Sequence, residues 1–202
     1  MGTPTFVNYD SATQASTTSI SKSFTPGADV DFVVVDLSVD GAIASLYITY
    51  RGVLMQMIGA ANNSIQLYSY YLVGPPGGSS TVAASWTPAR NSQMAIRGYK
   101  NVRQSNPFAT PAAIATGTST SVSVNVSSAV GELVIDAIVS NGTPTVGPGQ
   151  AWRYFAGEYL NSAGSDEPGA SSVTMSWSVP YTNWGTVAVS LKPSFDTQII
   201  VM

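Results

Sequence analysis

Short runs in which apolar and polar residues alternate recur along most of the chain. Val122, Val124 and Val126 share one face of such a run, and small polar residues occupy the other. Other runs with the same period are those of Val173, Met175 and Trp177, of Val187, Val189 and Leu191, and of Ile65, Leu67, Tyr71 and Val73. A period of two is typical of half-buried β-strands, and no capped apolar stripe occurs at helical spacing.

Turn-forming residues separate these runs. They are Asp40-Gly41, Asn62-Asn63, residues 74–78, Asn141-Gly142 and residues 147–149. Each of these segments supplies residues that tolerate a positive φ or preset φ. The spacing of runs and turns predicts roughly ten to twelve short strands, which indicates an all-β chain. We expect a two-sheet antiparallel β-sandwich, jelly-roll-like in type.

The chain also resembles itself. Residues 76–86 match residues 168–177 with one residue deleted, and both segments end in a tryptophan. In both places we expect a proline-containing turn and then a second strand. The segment from Phe32 to Trp86 is about ten residues longer than its counterpart from Leu133 to Trp177. The extra residues are predicted to lie in the ribbon between Leu46 and Val73.

This duplication predicts the organisation of the chain. Because a strand-built half cannot bury both of its faces alone, two halves should pack face to face around a shared core. We therefore expect one domain over residues 17–193, with halves at about 17–100 and 118–192. Residues 101–117, which contain two prolines and little periodicity, are expected to form the crossover between the halves.

The two ends of the chain fall outside the predicted domain. Residues 1–16 and 194–202 are expected to be terminal arms, which can dock on their own sheet or add a strand to a neighbouring subunit. The candidate interface residues on these arms are apolar or aromatic. They are Phe6, Val7, Tyr9, Phe195, Ile199, Ile200 and Val201.

Composition narrows the function. Only 9% of the 202 residues are charged, and 8 basic against 11 acidic residues give a net charge of −3. This balance provides no electrostatic footprint for nucleic acid or an anionic membrane, so we expect neither as a partner. The N-terminus lacks a basic start and an apolar run, which predicts a soluble protein made in a cytoplasm.

Histidine and cysteine are both absent from the sequence. Their absence removes thiolate nucleophiles, the usual zinc and copper ligands, and every catalytic triad or dyad that uses imidazole. A Ser-x-x-Lys pattern occurs at Ser19 and Lys22, but on a strand these two side chains would face opposite ways. We expect a non-enzymatic protein with no catalytic residues, metal ligands or cofactor.

The acidic residues are the remaining source of chemistry. Paired carboxylates could serve glycoside hydrolysis or bind calcium, although their spacing matches no known loop motif. The candidates are Asp29 with Asp31, Asp36 with Asp40 at the following turn, and Asp166 with Glu167. Turn formation and solubility explain these residues more simply. Asp136 lies in an apolar strand, and a buried carboxylate there would need a partner such as Arg153 or Arg97.

Aromatic residues suggest a binding surface. Trp152 and Tyr154 are predicted to share one face of a strand, with Phe155 and Tyr159 on the other, so these residues cannot all enter one core. Exposed aromatic rings in a polar setting can stack on sugars or form a protein interface. The candidate glycan-stacking residues are Trp152, Tyr154, Tyr181 and Trp184.

Four segments together resemble a known type of module. They are residues 118–126 followed by 131–136, the turn at 147–153, residues 171–177 and the closing residues 184–193. These segments look like a β-sandwich module, jelly-roll or immunoglobulin-like, of tailed-phage virion accessory proteins and bacterial surface proteins. The resemblance covers roughly residues 17–193 and rests on structural motifs, so no functional residue is carried over from it.

The resemblance implies a non-enzymatic structural protein of a phage virion, made in the host cytoplasm. Within that class a capsid decoration or cement protein is favoured, binding itself and repeated copies of the major capsid protein. A tail or fibre component and a carbohydrate-binding surface module are the alternatives.

Overall fold

The computed structural model describes residues 2–195 as thirteen strands in two antiparallel sheets, with no helix in that range. An all-β two-sheet sandwich is therefore confirmed. The first sheet contains β1 (Thr5–Phe24), β2 (Phe32–Val39), β3 (Ala44–Tyr50), β4 (Val53–Leu54), β5 (Gln56–Asn62), β6 (Gln66–Val73) and β7 (Ser80–Lys100). The second contains β8 (Ala113–Ser127), β9 (Leu133–Ser140), β10 (Thr145–Val146), β11 (Ala151–Gly157), β12 (Asn161–Pro168) and β13 (Ser172–Leu191). Within residues 2–195 no helix could span a membrane.

Strand order shows the duplication directly. The first sheet runs β4-β3-β7-β2-β6-β5, with β1 also paired to β7. The second runs β10-β13-β9-β12-β11, with β8 also paired to β13. The two orders correspond strand for strand, except that β4 has no counterpart in the second sheet. This extra hairpin strand lies inside the ribbon where the sequence predicted the additional residues.

A long ribbon folds each sheet back over itself. β1 and β7 pair along almost their whole length, and the register shifts between Gln14 and Ser19 mark a bend. β8 and β13 repeat this pairing, with their register shift between Ser178 and Thr182. We call one side of the bend the outer layer: residues 17–24 and 80–87 with β3 and β4 in the first half, and residues 121–127 and 172–178 with β10 in the second. The remaining strands of each sheet form its inner layer. The proline-containing turns predicted here are therefore wrong, because Pro88 and Pro180 lie inside continuous strands.

Three apolar layers result, which corrects the single shared core expected from the sequence. The first half has its own core, in which Val33, Val35 and Leu37 of β2 face Trp86 and Ile20 of the outer layer. The second half has its own core around Trp177, Ile138 and Val122, continued by Val134 and Met175. A bent ribbon lets one half cover a face of its own inner layer, which a flat sheet cannot do.

The third layer lies between the halves. The opposite face of β2 brings Phe32 and Val34 against Leu133, Ile135 and Val189 of the second half. A second cluster joins Leu67 and Ala61 to Ala137, Val139 and Val187. Every residue of β2 and of β9 is consequently buried. The two inner layers pack face to face and hold the chain together as one body.

Two predicted boundaries are also corrected. Residues 1–16 do not form a separate arm, because β1 runs through position 16 and Thr5 to Gln14 pair with β7. The second half begins at Ala113, so the crossover is residues 101–112 and not 101–117. Its backbone bonds to the end of β13, with the Arg103 amide donating to the Lys192 carbonyl at 3.0 Å.

Candidate functional site

A buried ion pair lies where the two halves meet. Arg97 of β7 donates from Nη2 to Asp36 Oδ2 of β2 at 2.7 Å, and both side chains are almost fully buried. Its Nη1 donates to the Asp136 carbonyl of the second half at 2.9 Å and to the Tyr99 hydroxyl at 3.1 Å. Ser69 donates to the other oxygen of Asp36 at 2.7 Å. The expectation that Asp36 flanks a turn is wrong, since it lies inside β2 at the centre of the molecule.

Arg97 stays charged although it is buried. Burial lowers the pKa of Arg97, but Asp36 and, to a smaller extent, Tyr99, Tyr154 and Asp136 together raise it by more, so its net pKa lies above the ordinary value. A buried guanidinium with a carboxylate partner stays charged, and removing one partner leaves the other uncompensated. The Arg97–Asp36 pair lies within the first sheet, and the hydrogen bond from Arg97 to the Asp136 carbonyl connects it to the second sheet. It has no route to solvent through which a substrate could reach it, as both residues are covered on each side.

Asp136 forms a second buried polar centre, inside the core of the second half. Its Oδ1 accepts hydrogen bonds from the backbone amide and hydroxyl of Ser165, at 3.0 and 2.6 Å. Its Oδ2 accepts from Trp177 Nε1 at 2.6 Å. Neither arginine that the sequence offered is its ion-pair partner: Arg97 pairs with Asp36, and Arg153 pairs with Asp166. That part of the sequence interpretation is corrected.

Burial raises the pKa of Asp136 to about 6, although hydrogen bonds from Ser165 and Trp177 and the charge of Arg97 lower it. An unfolded Asp titrates near 4. Between about pH 4 and pH 6 the folded state therefore binds the additional proton, so this residue makes folding more favourable as the pH falls through that window. Burial also raises the pKa values of Asp31 and Glu167, which act in the same direction.

We expect the free energy of unfolding to include a gain of about 1 kcal/mol from Asp136 between pH 7.5 and pH 5. Urea titrations of the wild type and of Asp136→Asn at both pH values measure it. The Asn variant should show a smaller increase, because position 136 no longer binds a proton. An equal pH response in both proteins would contradict this assignment.

The other acidic residues hold local structure. Asp31 accepts a hydrogen bond from the Val102 amide at 3.2 Å. Asp40 accepts from the Asn91 amide and side chain at 3.0 and 2.7 Å. Asp166 receives two hydrogen bonds from Arg153, at 2.6 and 2.7 Å. Lys22 pairs with Asp10 at 3.1 Å. Within residues 2–195 no three His, Cys, Asp or Glu side chains are arranged to hold a metal ion.

The four candidate glycan-stacking residues do not form one platform. Tyr154 and Trp184 are buried, with the Trp184 ring against Gly117 and its Nε1 donating to Ser119 at 3.0 Å. Their assignment to a stacking surface is wrong. Trp152 and Tyr181 remain 41% and 75% exposed.

A β-bulge explains the error at Tyr154. The pairing of β11 with β12 shifts register between Trp152 and Tyr154, which turns Tyr154 inward and places Phe155 beside Trp152. The two exposed rings meet edge to face at 6.1 Å. β5 carries the equivalent shift between Met57 and Gly59, so the bulge belongs to the duplicated unit. A bulge of this kind re-aims side chains along an edge strand.

We call the exposed aromatic side chains of Trp152, Phe155 and Tyr159 the β11 strip. All three rings are about 40% exposed, and β11 pairs with β12 along only one of its edges. Glu158 hydrogen-bonds to Thr13, which brings β1 alongside the strip. This arrangement is an aromatic surface with a strand edge beside it, and Arg153 and Glu158 are the charged residues within the same segment.

The predicted interface residues of the N-terminus lie next to the same strip. Phe6 packs edge-on against Tyr99 at 5.8 Å and lies under the Arg153 guanidinium at 4.8 Å. Val7 is half-buried, while Tyr9 is exposed and its ring lies 6.4 Å from that of Tyr154.

At the other end of the chain, Phe195 is exposed and contacts the Arg103 guanidinium at 4.0 Å. Ile199, Ile200 and Val201 lie outside the described residues.

Comparison with known proteins adds little to this geometry. No protein-family model matches the chain, and no curated relative was found. Among solved structures the chain is similar to the PBSX exported protein XepA, with 9% identity over 95% of this chain and 87% of that one. The TM-score of 0.24 is too low to carry an argument. The fold is therefore established by strand pairing alone, and fold does not determine function.

Proposed function

We propose that this chain is a non-enzymatic structural protein of a phage virion, and that it decorates the capsid by binding repeated coat subunits. The β11 strip is the observation that supports this proposal. Aromatic side chains dominate the energetics of protein interfaces, and an unpaired strand edge can add to a neighbouring sheet. The strip offers both features on one side of the molecule.

The state of the buried polar groups supports a role without catalysis. Asp36 and Asp136 are the two most deeply buried carboxylates. Both oxygens of each accept hydrogen bonds, and packed strands enclose them. A general acid or base must reach the proton that it transfers. We propose that each group fixes the packing of its own half, so that the chain presents a rigid body for binding.

The low charge of the surface fits close assembly with like subunits. With 8 basic and 11 acidic residues in 202, little repulsion opposes contact between copies. The partners that we propose are further copies of this chain and the major capsid protein. A tail or fibre protein is the alternative within the same class, and the particle fraction that holds the chain distinguishes the two.

Fractionation of the source culture tests the location. We expect the chain to co-sediment with DNA-filled particles and to persist in heads separated from tails. Recovery with tails alone would favour the tail or fibre alternative. Recovery only in fractions without particles would contradict a virion role.

The double substitution Trp152→Ala/Phe155→Ala tests the surface. Removing two interface rings should weaken retention on purified particles at least tenfold, since each anchor contributes on the order of 1–2 kcal/mol. Tyr181→Ala is the matched control, because Tyr181 is a more exposed ring on a different part of the second half. Both variants should keep the wild-type circular dichroism spectrum. Equal retention of both variants would exclude the β11 strip as the contact.

The predicted C-terminal arm has a separate test. A chain that ends at Phe195 lacks Ile199, Ile200 and Val201 but keeps every described strand. We expect it to fold and to bind particles more weakly than the full chain. Unchanged binding would remove this segment from the proposed interface.

A further inference from the structure

An open groove of about 460 Å³ crosses the outer layer of the first half, away from the β11 strip. It lies over β1, β7 and β3 and falls within the size range of small-molecule sites. Its lining is uncharged, and the side chains that the argument uses are those of Gln14, Ser19, Ser21, Tyr47, Thr49 and Ser85.

Strand register gives the groove a regular floor and walls. In one row across the sheet, Ser19 of β1 and Tyr47 of β3 flank Ser85 of β7. In the next row, Ser21 and Thr49 flank Ala83. Neighbouring strands are about 4.8 Å apart, so each row spans about 10 Å. Ala83 and Ser85 on the middle strand make the floor, and the larger side chains of Tyr47 and Thr49 on β3 make the higher of the two walls.

Backbone irregularities border this groove on both sides. The pairing of β3 with β7 shifts register between Ala44 and Tyr47, and Ser45 has a φ of 54°. On the opposite wall β1 shifts register on either side of Thr17, and Ser16 has a φ of 40°. Positive φ is uncommon for residues other than glycine, and such residues cluster at binding sites. The β3 irregularity immediately precedes Tyr47, whose side chain is 59% exposed.

We propose that this groove binds a neutral saccharide. A sugar ring presents C–H groups on its face and hydroxyls around its rim. The Tyr47 ring offers a flat apolar surface for the face, while the serine and threonine hydroxyls and the Gln14 amide can donate to and accept from the rim. Because no charged side chain lines the groove, sialylated or sulfated groups would find no counter-charge there.

The second half shows what the groove requires. Ser123 and Ser176 form the row equivalent to Ser19 and Ser85, so the hydroxyl pair is duplicated. No ring occupies the third position of that row. Gln150 instead bonds to the Ser176 amide at 2.7 Å, and the Gly147 amide donates to the Ser176 carbonyl at 2.9 Å. The turn at 147–150 covers this edge, while the first half carries Tyr47 there.

Binding to an oligosaccharide array tests the proposal with the full chain. We expect signal on some neutral hexose or N-acetylhexosamine oligosaccharides and none that depends on sialic acid or sulfate. The signal should be unchanged between about 0.05 and 0.5 M salt, because salt in this range screens ionic contacts and the groove has no charged side chain. Binding only to sialylated or sulfated glycans, or to no glycan, would overturn the proposal.

Two substitutions place the binding in the groove. Tyr47→Ala should weaken binding about tenfold by removing the stacking surface, and Ala83→Leu should abolish it by filling the floor. Tyr181→Ala, an exposed ring outside the groove, should bind like the wild type. Wild-type affinity in both groove variants would overturn the proposal. Particle binding by Tyr47→Ala should be unchanged, so this proposal and the virion role can fail independently.

Discussion

Arg97→Met is expected to lower the free energy of unfolding by about 3–5 kcal/mol, the largest effect of any single substitution that we propose. The variant leaves the Asp36 carboxylate buried with only Ser69 as a donor. It also removes the hydrogen bond from Arg97 to the Asp136 carbonyl, which joins the two halves. Urea denaturation at pH 7.5 measures the loss.

The double variant Asp36→Leu/Arg97→Met separates charge from packing. Replacing both members of a buried ion pair by apolar residues often restores stability, because no uncompensated charge remains. We therefore expect the double variant to be more stable than Arg97→Met alone. A loss below about 1 kcal/mol for Arg97→Met, or no recovery in the double variant, would contradict the assignment of Arg97 and Asp36 as a buried ion pair that stabilises the fold.

The second large effect is the loss of stability in Trp177→Phe, and the equivalent tryptophan of the first half serves as its control. Trp177→Phe removes the indole donor that bonds Asp136 Oδ2 at 2.6 Å. Trp86 occupies the equivalent position in the first half, where its Nε1 is buried without a hydrogen-bond partner among the described residues. A lost hydrogen bond to a buried charged group costs about 1.5–3 kcal/mol, whereas removing an unpaired donor relieves a desolvation penalty.

We therefore expect Trp177→Phe to be destabilised by about 2 kcal/mol more than Trp86→Phe. Both changes remove a similar ring volume from a core, so packing losses largely cancel in the comparison. Equal losses in the two variants would contradict the role assigned to the Asp136–Trp177 hydrogen bond. The difference should also shrink at pH 5, because burial holds the pKa of Asp136 at about 6 and its protonated form is more populated there.

The duplication was readable because it rests on local patterns. The Ser/Thr-rich strands and the two tryptophans repeat in order, and strand order in the sheets follows that repeat. The bends were not readable. Pro88 and Pro180 look like turn residues in isolation, and only the register shifts of the β1–β7 and β8–β13 ribbons show that the strands continue.

The direction in which each side chain points was the least predictable property of the candidate site. Alternation predicts faces only while the register holds, and the bulge between Trp152 and Tyr154 reverses it. No residue in the sequence of β11 indicates that a bulge occurs there. Asp36 and Arg97 did carry a signal, since each interrupts an apolar strand, but their pairing depends on β2 lying beside β7. Long-range pairing of this kind cannot be deduced from spacing.

The central claim is that two equivalent halves pack their inner layers face to face. Gly59 of the first half lies against Val187 of the second half and against Ala112, the last crossover residue before β8, and a Cβ at position 59 would be 3.5 Å from that of Ala112. This separation suits a disulfide. Since the natural sequence contains no cysteine, a crosslink between two introduced cysteines reports only on this contact.

Mass spectrometry of a non-reducing digest of Gly59→Cys/Ala112→Cys is the most direct measurement. The account predicts an intramolecular disulfide in most molecules under mild oxidation. Ala83→Cys/Thr174→Cys, with one cysteine on the outer layer of each half, should stay reduced. Failure of the 59–112 pair to form, or equal crosslinking of the control pair, would contradict the face-to-face arrangement.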